Sequence, residues 1–502
     1  MRLSEVMEGT GAAAPPGSDP DGRDPDVALV TGDSRAVAPG AVFFALPGAR
    51  TDGHLFAAEA ARRGAVAVVA EREVACAPAA LRVAPSARRA MAIAAQNFFG
   101  RPGEAMTLAG VTGTNGKTTV TYLVEACAAE AGTPVAVLGT VTHRWPGGAR
   151  PATHTTPEST EIAATLARAR DAGARLALLE VSSHALAQER TAGLRFAVAG
   201  FTNLSRDHLD YHGDMESYFL AKRRLFTDGL SRRGVAVVNG DDAYGARLGL
   251  ELGARGRSAW RYGPAHGREI AARDVRVALD GIAARVTTPA GEVAIRSPLV
   301  GAHNLENLLC AAGMALALGL APSAVERGLA ACAGAPGRLE RVEGRGIRVF
   351  VDYAHTPDAL SRALAALRAL GPRRLVVVFG CGGDRDRGKR PLMGEAAARG
   401  ADLAVVTSDN PRTEDPDAII GEVLPGLSAA GSRRLTGAEA HAGADGFAVE
   451  PDRRAAIALA VAAARAGDAV LLAGKGHEDY QIVGAERRPF DDREEARRAL
   501  GS

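Results

Sequence analysis

Short apolar runs and longer segments of helical spacing alternate along most of the chain. Near the start, apolar runs at 42–46 and 65–70 precede an Ala-rich stretch of helical spacing at 84–99. Such runs are typical of buried strands, and helix-length segments between them form the crossovers of a parallel sheet. The pattern predicts a small α/β domain over residues 27–104.

A second α/β pattern begins at residue 105. An apolar run at 108–112 leads into a Gly-rich turn and a helical segment at 118–131. Further apolar runs follow at 135–138, 176–179, 197–201 and 235–238. This order predicts a parallel sheet with helical crossovers.

The segment from 258 to 300 has a different pattern, because polar and apolar positions alternate over 275–279, 283–287 and 293–295. Alternation of this kind predicts an antiparallel insertion or flank. We expect the central domain to end near residue 335.

Strand and helix patterns restart after the Gly-rich segment 334–337, with apolar runs at 347–351, 375–379, 403–407 and 469–473. They predict a third, doubly wound and Rossmann-like domain over 336–502. Residues 1–26 lack such a pattern and are rich in Ala, Pro, Gly and Asp, so we expect a disordered lead. The predicted fold class is α/β, with three domains.

The composition argues against several classes of protein. Lys plus Arg (60) and Asp plus Glu (58) nearly cancel, so there is no global basic field for non-specific nucleic-acid binding. The first residues lack the apolar core of a signal peptide, and no later run is long enough to span a membrane. The five cysteines form no CxxC pair, which favours reduced, buried thiols. We expect a cytoplasmic protein with no nucleic-acid or membrane partner.

The strongest chemical motif is GTNGKTT at 113–119, between a predicted strand and a predicted helix. There, main-chain N–H groups and the helix N-terminus can hold phosphate oxygens, with Lys117 at the β- and γ-phosphates and Thr118 on Mg²⁺. Val111 stands where the strict Walker A pattern has glycine, and a Gly-rich turn that merely contains a lysine is the alternative. The residues expected to bind the nucleotide here are Gly113, Thr114, Asn115, Gly116, Lys117, Thr118 and Thr119.

Seven further segments resemble the signatures of the Mur ligase family, in the family's order, and that family's ATP loop also reads GTNGKTT. They are TTP at 155–157, EVSSH at 180–184, DHLDYH at 207–212, HNLEN at 303–307, DYAHTP at 352–357, DNPR at 409–412 and GKGHE at 474–478. The resemblance covers nearly the whole chain beyond the lead. It implies a UDP-precursor-binding domain, a central ATPase domain and a C-terminal amino-acid-binding domain.

The resemblance assigns catalytic or metal-binding roles to Lys117, Thr118, Glu180, His208 and Lys222. Glu180 ends an apolar run, where a carboxylate beside a phosphate loop suits Mg²⁺. The family's histidine at position 208 binds a second Mg²⁺, although a lone loop histidine is more often plain surface. Local sequence alone favours Lys222 as part of a solvated basic helix face. In the family this lysine is carbamylated by CO₂, which replaces a cation that would repel Mg²⁺ with an anion that can share the metal site.

Other matches concern the nucleotide and the UDP-linked precursor. Asn304, Asn307, Arg338 and Asp352 match residues that hold the adenine, the phosphates and the ribose. Asn304 is also a candidate helix N-cap. Ser34 matches the uridine contact of the first domain. The positions that match contacts to the sugar and peptide are Thr155, Thr156, Ser182, Gln188 and Arg190.

The motif at 409–412 resembles the diaminopimelate-adding members of the family rather than the lysine-adding ones. Diaminopimelate is lysine with a second carboxylate, which the guanidinium of Arg412 can bind through two charge-assisted hydrogen bonds. Glu478 is available for an ammonium group, and Arg385 is either a further contact or part of a self-neutralising surface run. The matching positions are Arg385, Asp409, Asn410, Pro411, Arg412, Gly474 and Glu478.

Together the matches imply an ADP-forming ligase that joins meso-diaminopimelate to the D-Glu side-chain carboxylate of UDP-MurNAc-L-Ala-D-Glu in peptidoglycan precursor synthesis. A carboxylate needs a leaving group before an amine can displace it, and ATP supplies one as an acyl phosphate. The implied cofactors are ATP, Mg²⁺ at two sites and a CO₂-derived carbamate on Lys222. We expect a monomer.

Two alternatives stay open. One is a lysine-adding or relaxed-specificity ligase of the same family. The other is a P-loop regulatory ATPase, which follows if only 113–119 is considered but leaves the motifs of the third domain unexplained. NAD binding is disfavoured, because the segment 380–385 lacks the third glycine of G-x-G-x-x-G.

Overall fold

The computed structural model describes residues 1–18, 22, 24–48, 51–264, 267–344 and 346–501. The chain divides into two compact units. The first unit comprises Met1–Ala271, Thr287–Val293 and Leu309–Gly328, and the second comprises Ala272–Val286, Ala294–Leu308 and Leu329–Ser502. Strands alternate with helices in both, so the predicted α/β class is confirmed. None of the described helices is both long and apolar enough to cross a membrane.

The first unit begins with a four-stranded parallel sheet in the order β1 (Leu29–Thr31), β2 (Ala41–Phe44), β3 (Ala67–Ala70) and β4 (Ala80–Val83). Its helices are α1 (Leu3–Val6), α2 (Ala57–Arg62) and α3 (Ala87–Phe98). β2 and β3 are buried at every position. Alternate side chains of these strands enter two separate apolar clusters, as expected for a sheet covered on both faces.

The described part of the N-terminal lead is structured, which differs from the disorder expected from its composition. Leu3 and Val6 on α1 are buried in the apolar cluster beneath α3. The side-chain amide of Asn97 donates to the carbonyl oxygens of Val6 (3.1 Å) and Glu8 (2.8 Å). Ala13 forms a β-bridge with Val83. Composition missed this because a few apolar and hydrogen-bonding contacts are enough to hold a terminal segment.

The central sheet has eleven strands in the order β15-β14-β13-β12-β11-β10-β5-β9-β6-β7-β8. The strands are β5 (Thr107–Thr112), β6 (Val135–Leu138), β7 (Thr142–Trp145), β8 (Gly148–Pro151), β9 (Leu176–Glu180), β10 (Phe196–Phe201), β11 (Leu230–Asn239), β12 (Ser258–Gly263), β13 (Ile270–Ala278), β14 (Gly281–Thr288) and β15 (Gly291–Ser297). The helices are α4 (Lys117–Glu130), α5 (Ser159–Asp171), α6 (Ser183–Ala187), α7 (Leu209–His212), α8 (Met215–Arg224), α9 (Ala243–Ala254), α10 (Ala302–Ala317) and α11 (Pro322–Ala331).

The register of this sheet positions the phosphate loop. β5 is parallel to both β9 and β10, with Val111 opposite Glu180 and Thr112 opposite Phe201. The carboxyl ends of the three strands therefore meet at one edge, where ligands of open α/β sheets bind. β13, β14 and β15 are joined by two-residue connections, which only antiparallel neighbours allow, so this part of the sequence prediction is correct.

The second unit contains a six-stranded sheet in the order β16-β17-β21-β18-β19-β20. Its strands and those of a following hairpin are β16 (Glu340–Gly344), β17 (Ile347–Asp352), β18 (Leu375–Phe379), β19 (Leu403–Val406), β20 (Gly446–Val449), β21 (Ala469–Ala473), β22 (Tyr480–Val483) and β23 (Glu486–Pro489). The helices are α12 (Pro357–Arg368), α13 (Lys389–Gly400), α14 (Pro416–Ala429), α15 (Gly437–His441), α16 (Arg453–Ala463) and α17 (Asp492–Leu500).

This sheet is doubly wound, as the apolar pattern predicts. β16 is antiparallel to β17, and the remaining neighbours are parallel. Along β18, Leu375 and Val377 enter one apolar cluster, and Val376 and Val378 enter the other. Strands whose alternate side chains are all apolar require cover on both faces. The parallel strands again bring their carboxyl ends to a common edge.

Candidate functional site

The phosphate loop is a strand-to-helix turn in which two glycines adopt positive φ. Gly113 has φ +150° and Gly116, which precedes α4, has φ +86°. A Cβ at Gly113 would overlap Thr202 Oγ1, so the close approach of the loop to the end of β10 requires glycine. Asn203 accepts the N–H of Thr114 on its carbonyl oxygen (2.8 Å) and the N–H of Asn115 on Oδ1 (3.0 Å). Asn203, which sequence analysis did not single out, therefore holds the loop in shape.

Two predicted catalytic lysines meet at this loop. The Nζ of Lys117 donates to the carbonyl oxygens of Gly113 (2.9 Å) and Thr114 (3.0 Å), and the Nζ of Lys222 donates to that of Gly113 (2.8 Å). Lys222 is 1% exposed, so the solvated helix face suggested by its local sequence is wrong. Burial and the neighbouring Lys117 lower the pKa of Lys222 well below its ordinary value.

Glu180 lies beside the first turn of α4 and is 1% exposed. Its Oε2 accepts hydrogen bonds from the hydroxyls of Thr118 (2.9 Å) and Thr140 (2.8 Å), and its Oε1 accepts the N–H of Thr140 (3.0 Å). A Cβ at Gly139 would overlap the carboxylate, so glycine makes room for it. A hydroxyl and a carboxylate in contact at a phosphate loop are the hard oxygen donors that suit Mg²⁺, so these residues fit that ion.

In the described part of the chain, no group of three or more His, Cys, Asp or Glu side chains is arranged to hold a metal ion. P-loop enzymes hold Mg²⁺ with a hydroxyl, a carboxylate and phosphate oxygens, so Thr118 and Glu180 would be the protein's donors to such an ion.

Tyr218 on α8 connects several predicted residues. Its hydroxyl lies 3.2 Å from Thr114 Oγ1, and the Lys222 ammonium lies 4.6 Å from its ring centroid. The ring of His208, which has φ +52°, stands edge-on to Tyr218 at 6.1 Å and to His184 at 4.8 Å. Burial raises the pKa of Tyr218 to about 12. Sequence analysis missed Tyr218, since one tyrosine in a helix carries no spacing signal.

The five predicted sugar and peptide contacts form one network next to Glu180. Thr155 Oγ1 lies 3.1 Å from Thr140 Oγ1, and Thr156 Oγ1 donates to the Glu180 carbonyl oxygen (2.8 Å). The N–H of Ser182 donates to Thr156 Oγ1 (2.9 Å). The guanidinium of Arg190 donates to the Thr156 carbonyl oxygen (2.7 Å) and to Gln188 Oε1 (2.8 Å). Residues that are scattered in sequence thus become neighbours.

Ser34 lines a cavity of about 430 Å³ in the same unit. It begins a short 3-10 helix whose cap, Asp33, accepts the N–H of Arg35. Glu158 also lines the cavity, and its Oε1 is 3.0 Å from the Arg190 guanidinium. The cavity is therefore connected to the network of Thr156 and Arg190.

Four predicted nucleotide contacts lie in the second unit. Asn304 and Asn307 are buried, with Asn307 Nδ2 donating to Asn304 Oδ1 (2.9 Å). α10 begins at Ala302 and the amide of Asn304 donates to the Val300 carbonyl oxygen (2.8 Å), so the N-cap interpretation of Asn304 is wrong. Arg338 lies two residues before β16, and Asp352 is the last residue of β17.

Asp352 ends β17, and its Oδ2 accepts the N–H of Leu339 at 2.8 Å. Burial raises the pKa of its carboxyl group, although Leu339 and Arg338 favour the charged form. The guanidinium of Arg338 lies 5.3 Å from the ring centroid of Tyr353. Arg338 and Asp352 therefore lie at the carboxyl edge of the sheet.

The predicted amino-acid motif follows β19 and is held by the β22 hairpin. The N–H of Arg412 donates to the Ile482 carbonyl oxygen (3.0 Å), and the Gly484 N–H donates to the Arg412 carbonyl oxygen (2.6 Å). Arg412 has φ +51°, and its Nη1 donates to the Gly383 carbonyl oxygen (2.7 Å). This bond fixes the direction of the guanidinium.

Other predicted contacts gather around the same motif. Asn410 Nδ2 donates to Glu478 Oε2 (2.9 Å). A Cβ at Gly474 would lie only 3.0 Å from Asp409 Oδ2, so glycine allows this carboxylate to approach the backbone closely. Arg385 is exposed on the adjacent loop, and its Cγ would lie 3.8 Å from a Cβ at Gly382. The motif thus bears the Arg412 guanidinium, held on Gly383, and Asn410, which holds the Glu478 carboxylate.

A buried clamp, which sequence analysis missed, joins the two loops that bear Arg385 and Arg412. Arg390 is 0% exposed and contacts Glu414 (2.8 Å) and Glu422 (2.8 Å). Glu414 also accepts the N–H of Asp384 (2.6 Å). The Glu414 carboxylate therefore accepts from both Arg390 and the backbone of Asp384, and these contacts hold the two loops next to each other.

The chain belongs to the Mur ligase family. Residues 26–98 match the family's catalytic domain, 111–315 match the Mur ligase middle domain and 337–476 match the Mur ligase, glutamate ligase domain. The predicted three-domain fold is confirmed by these matches.

Relatives of similar length carry a more specific name. The chain is 51% identical over 478 residues, 93% of each chain, to the UDP-N-acetylmuramoyl-L-alanyl-D-glutamate–2,6-diaminopimelate ligase of Geobacter metallireducens. It is 47% identical over 508 residues, covering 100% of this chain and 98% of the other, to the protein of that name from Gloeobacter violaceus. A solved structure of a ligase of this name has TM-score 0.72 at 35% identity, covering 98% of this chain and 99% of the other. MurF from Acinetobacter baumannii, at 19% identity and TM-score 0.61, shares the fold.

Proposed function

We propose that the protein joins meso-diaminopimelate to UDP-MurNAc-L-Ala-D-Glu at the expense of ATP, in peptidoglycan precursor synthesis. The observation that carries the reaction class is the enclosed contact between Thr118 and Glu180 at the phosphate loop. The choice of substrates is supported by the names of relatives at about half identity over nearly the full chain. It is also supported by the guanidinium of Arg412 in the same motif as Asn410, which holds Glu478.

The reaction proceeds in two steps. The D-Glu side-chain carboxylate attacks the γ-phosphorus of ATP, which releases ADP and leaves an acyl phosphate. The amine of diaminopimelate then attacks the acyl carbon, an amide bond forms, and inorganic phosphate leaves with one original carboxylate oxygen. Lys117 and the loop N–H groups would bind the phosphate oxygens and reduce their repulsion of the attacking carboxylate.

Mg²⁺ fits the first step through Thr118 and Glu180, where it would neutralise phosphate charge. His208 is proposed to bind a second ion. Thr156, Ser182, Gln188 and Arg190 would hold the sugar and peptide, and the cavity at Ser34 would take the uridine. Asn304, Asn307, Arg338 and Asp352 would hold the rest of the nucleotide.

Lys222 is proposed to carry a carbamate. A neutral amine reacts with CO₂ to give a carbamate and a proton, and the lowered pKa of buried Lys222 favours the neutral amine. The product would replace a cation beside the loop with an anion that can share the metal site.

The amine site selects its substrate by charge. Arg412 would bind the far carboxylate of diaminopimelate with help from Arg385, and Glu478 would bind an ammonium group. Lysine lacks that carboxylate and would leave Arg412 unpaired. We also propose a monomer acting in the cytoplasm, since ATP and the UDP-linked precursor are consumed there, with domain limits at 27–104, 105–335 and 336–502.

The test is phosphate release measured with each component omitted in turn. Release should require ATP, Mg²⁺, UDP-MurNAc-L-Ala-D-Glu and meso-diaminopimelate together. Equal release without the precursor would favour a regulatory ATPase instead. Equal release with lysine in place of diaminopimelate would favour a lysine-adding or relaxed ligase.

A further inference from the structure

The second unit contains an enclosed cation next to the proposed amino-acid site. Lys475 is 0% exposed. Its Nζ lies 3.2 Å from Asn410 Oδ1, 3.5 Å from Asp409 Oδ1 and 3.6 Å from Glu478 Oε2. All three neighbours belong to the proposed contacts to the amino acid. Because the ammonium is enclosed, Lys475 acts through these groups and does not touch the substrate.

Lys475 fixes the orientation of the Asn410 side chain. Asn410 Oδ1 accepts from the ammonium and from the N–H of Ile482 (2.9 Å), and its Nδ2 donates to Glu478 Oε2 (2.9 Å). A rotated amide would point its NH₂ group at an ammonium that can only donate. The cation therefore selects the orientation in which Asn410 holds Glu478.

The charges around Asn410 balance only in part. Asp409 and Glu478 supply two carboxylates, and Lys475 offsets one of them. The nearby buried pair of Arg453 and Asp492 (2.6 Å) is neutral in sum, and Arg453 also donates to the carbonyl oxygen before Gly474. The carboxylates and cations around Asn410, counted apart from the guanidinium groups of Arg385 and Arg412, therefore keep one net negative charge, which matches one ammonium of the incoming amine.

We propose that Lys475 is a positioning residue that sets the charge of this site so that a substrate with two carboxylates is favoured over one with a single carboxylate. The inference rests on the proposed function. Diaminopimelate and lysine carry the same two ammonium groups and differ by one carboxylate. Without the Lys475 charge the site would be more negative, and the additional carboxylate alone would be penalised.

The experiment offers the enzyme an equimolar mixture of meso-diaminopimelate and L-lysine, with ATP, Mg²⁺ and UDP-MurNAc-L-Ala-D-Glu, and measures both products by mass spectrometry. Lys475→Met should lower the ratio of diaminopimelate to lysine product by roughly ten- to a hundredfold. Lys475→Arg should keep the preference, and Lys475→Met combined with Asp409→Asn should restore most of it. Arg399→Met, which removes a cation from an exposed pair with Glu395, is the matched control.

An unchanged product ratio in folded Lys475→Met would overturn the inference while leaving the proposed function intact. If that variant does not fold, Asp409→Asn alone carries the test: it removes a negative charge, so the ratio should rise, and a constant or lower ratio would overturn the inference. If the wild-type protein forms neither product, the proposed function fails and the inference fails with it.

Discussion

The enclosed carboxylate of Glu180 is the proposed protein ligand of Mg²⁺ at the phosphate loop. It is enclosed at the end of β9, and three hydrogen bonds from Thr118 and Thr140 fix both of its oxygens. We expect Glu180→Gln to lower kcat by at least about a hundredfold and to raise the Mg²⁺ concentration needed for activity. Activity measured against Mg²⁺ checks this. Exposed Glu216, paired with Arg247, supplies the control Glu216→Gln, and similar activity in both variants would contradict a metal role.

Arg412 is the residue proposed to select diaminopimelate by binding its far carboxylate. Its guanidinium is aimed by its bond to Gly383 and by the hairpin that pairs with its backbone. Arg412→Met should raise KM for diaminopimelate on the order of a hundredfold and leave KM for ATP nearly unchanged, because only the far carboxylate loses its partner. Steady-state kinetics checks this, with Arg387→Met as the control for an exposed arginine on the neighbouring loop. Equal effects on both substrates would point to a general loss of folding.

Sequence analysis named most residues of the site but not the residues that hold them. The roles of Lys222, Thr156 and Arg412 came from resemblance, because their local sequences look like a solvated helix and ordinary loops. Tyr218 and Asn203 went unnoticed, and Lys475 was seen only as one letter of the GKGHE segment with no role of its own, since the importance of all three lies in contacts with residues far away in the chain. Long-range contacts of this kind leave no periodic signal.

Among the elements, β7 carries a buried titratable group. His143 is 0% exposed, and within the described residues neither ring nitrogen has a hydrogen-bond partner. Burial and the nearby Arg150 lower its pKa, against the opposing effect of Glu161. The neutral ring is thus the folded form, and protonation favours the unfolded chain. The contribution of His143 to the free energy of unfolding is fully present above the unfolded pKa of about 6.5. As the pH falls below that value, the free energy of unfolding decreases by up to about 1.4 kcal/mol per pH unit for one such group.

The variant His143→Leu should therefore flatten the loss of stability between about pH 7 and pH 5. Urea unfolding at several pH values measures the slope, and exposed His441→Gln serves as the comparison. A slope that is the same in the wild type and in His143→Leu would contradict the assignment of a neutral buried ring.

A substitution in helix α1 can show whether the N-terminal lead is ordered. Leu3 is 2% exposed and packs into the core of the first domain. Leu3→Ala should lower the free energy of unfolding by about 2 kcal/mol or more. Leu55→Ala, at a side chain that is 75% exposed, should change it by less than about 0.5 kcal/mol. Thermal unfolding of Leu3→Ala and Leu55→Ala measures both changes. Equal stabilities of the two variants would support a disordered lead instead.

Strand and helix patterns were the part of the fold that sequence predicted well. The buried runs at β5, β9, β18 and β21 are apolar at nearly every position, so their class follows from composition and length. The order of strands within each sheet could not be predicted in the same way, because it depends on which crossovers pack together. The short helix α1 was missed since a four-residue helix has too little periodicity to detect.

At the scale of the whole molecule, the phosphate loop and the amino-acid motif belong to different units. Since one reaction needs both, we expect the domains to close when all ligands bind. Gly337 is anchored in the second unit by the N–H of Tyr353 (2.9 Å), so the flexing residues should precede it. Small-angle scattering should show a smaller radius of gyration with a non-hydrolysable nucleotide, precursor and diaminopimelate. An unchanged radius under saturating ligands would contradict closure.

The central claim is that ATP activates the D-Glu carboxylate of the precursor before the amine attacks. The most direct measurement uses precursor with heavy oxygen at both positions of that carboxylate and analyses the released inorganic phosphate by mass spectrometry. The account predicts that each phosphate released with amide formation carries one heavy oxygen atom from the precursor. Phosphate without the label would mean that water, not the precursor, received the phosphoryl group, and would contradict the account.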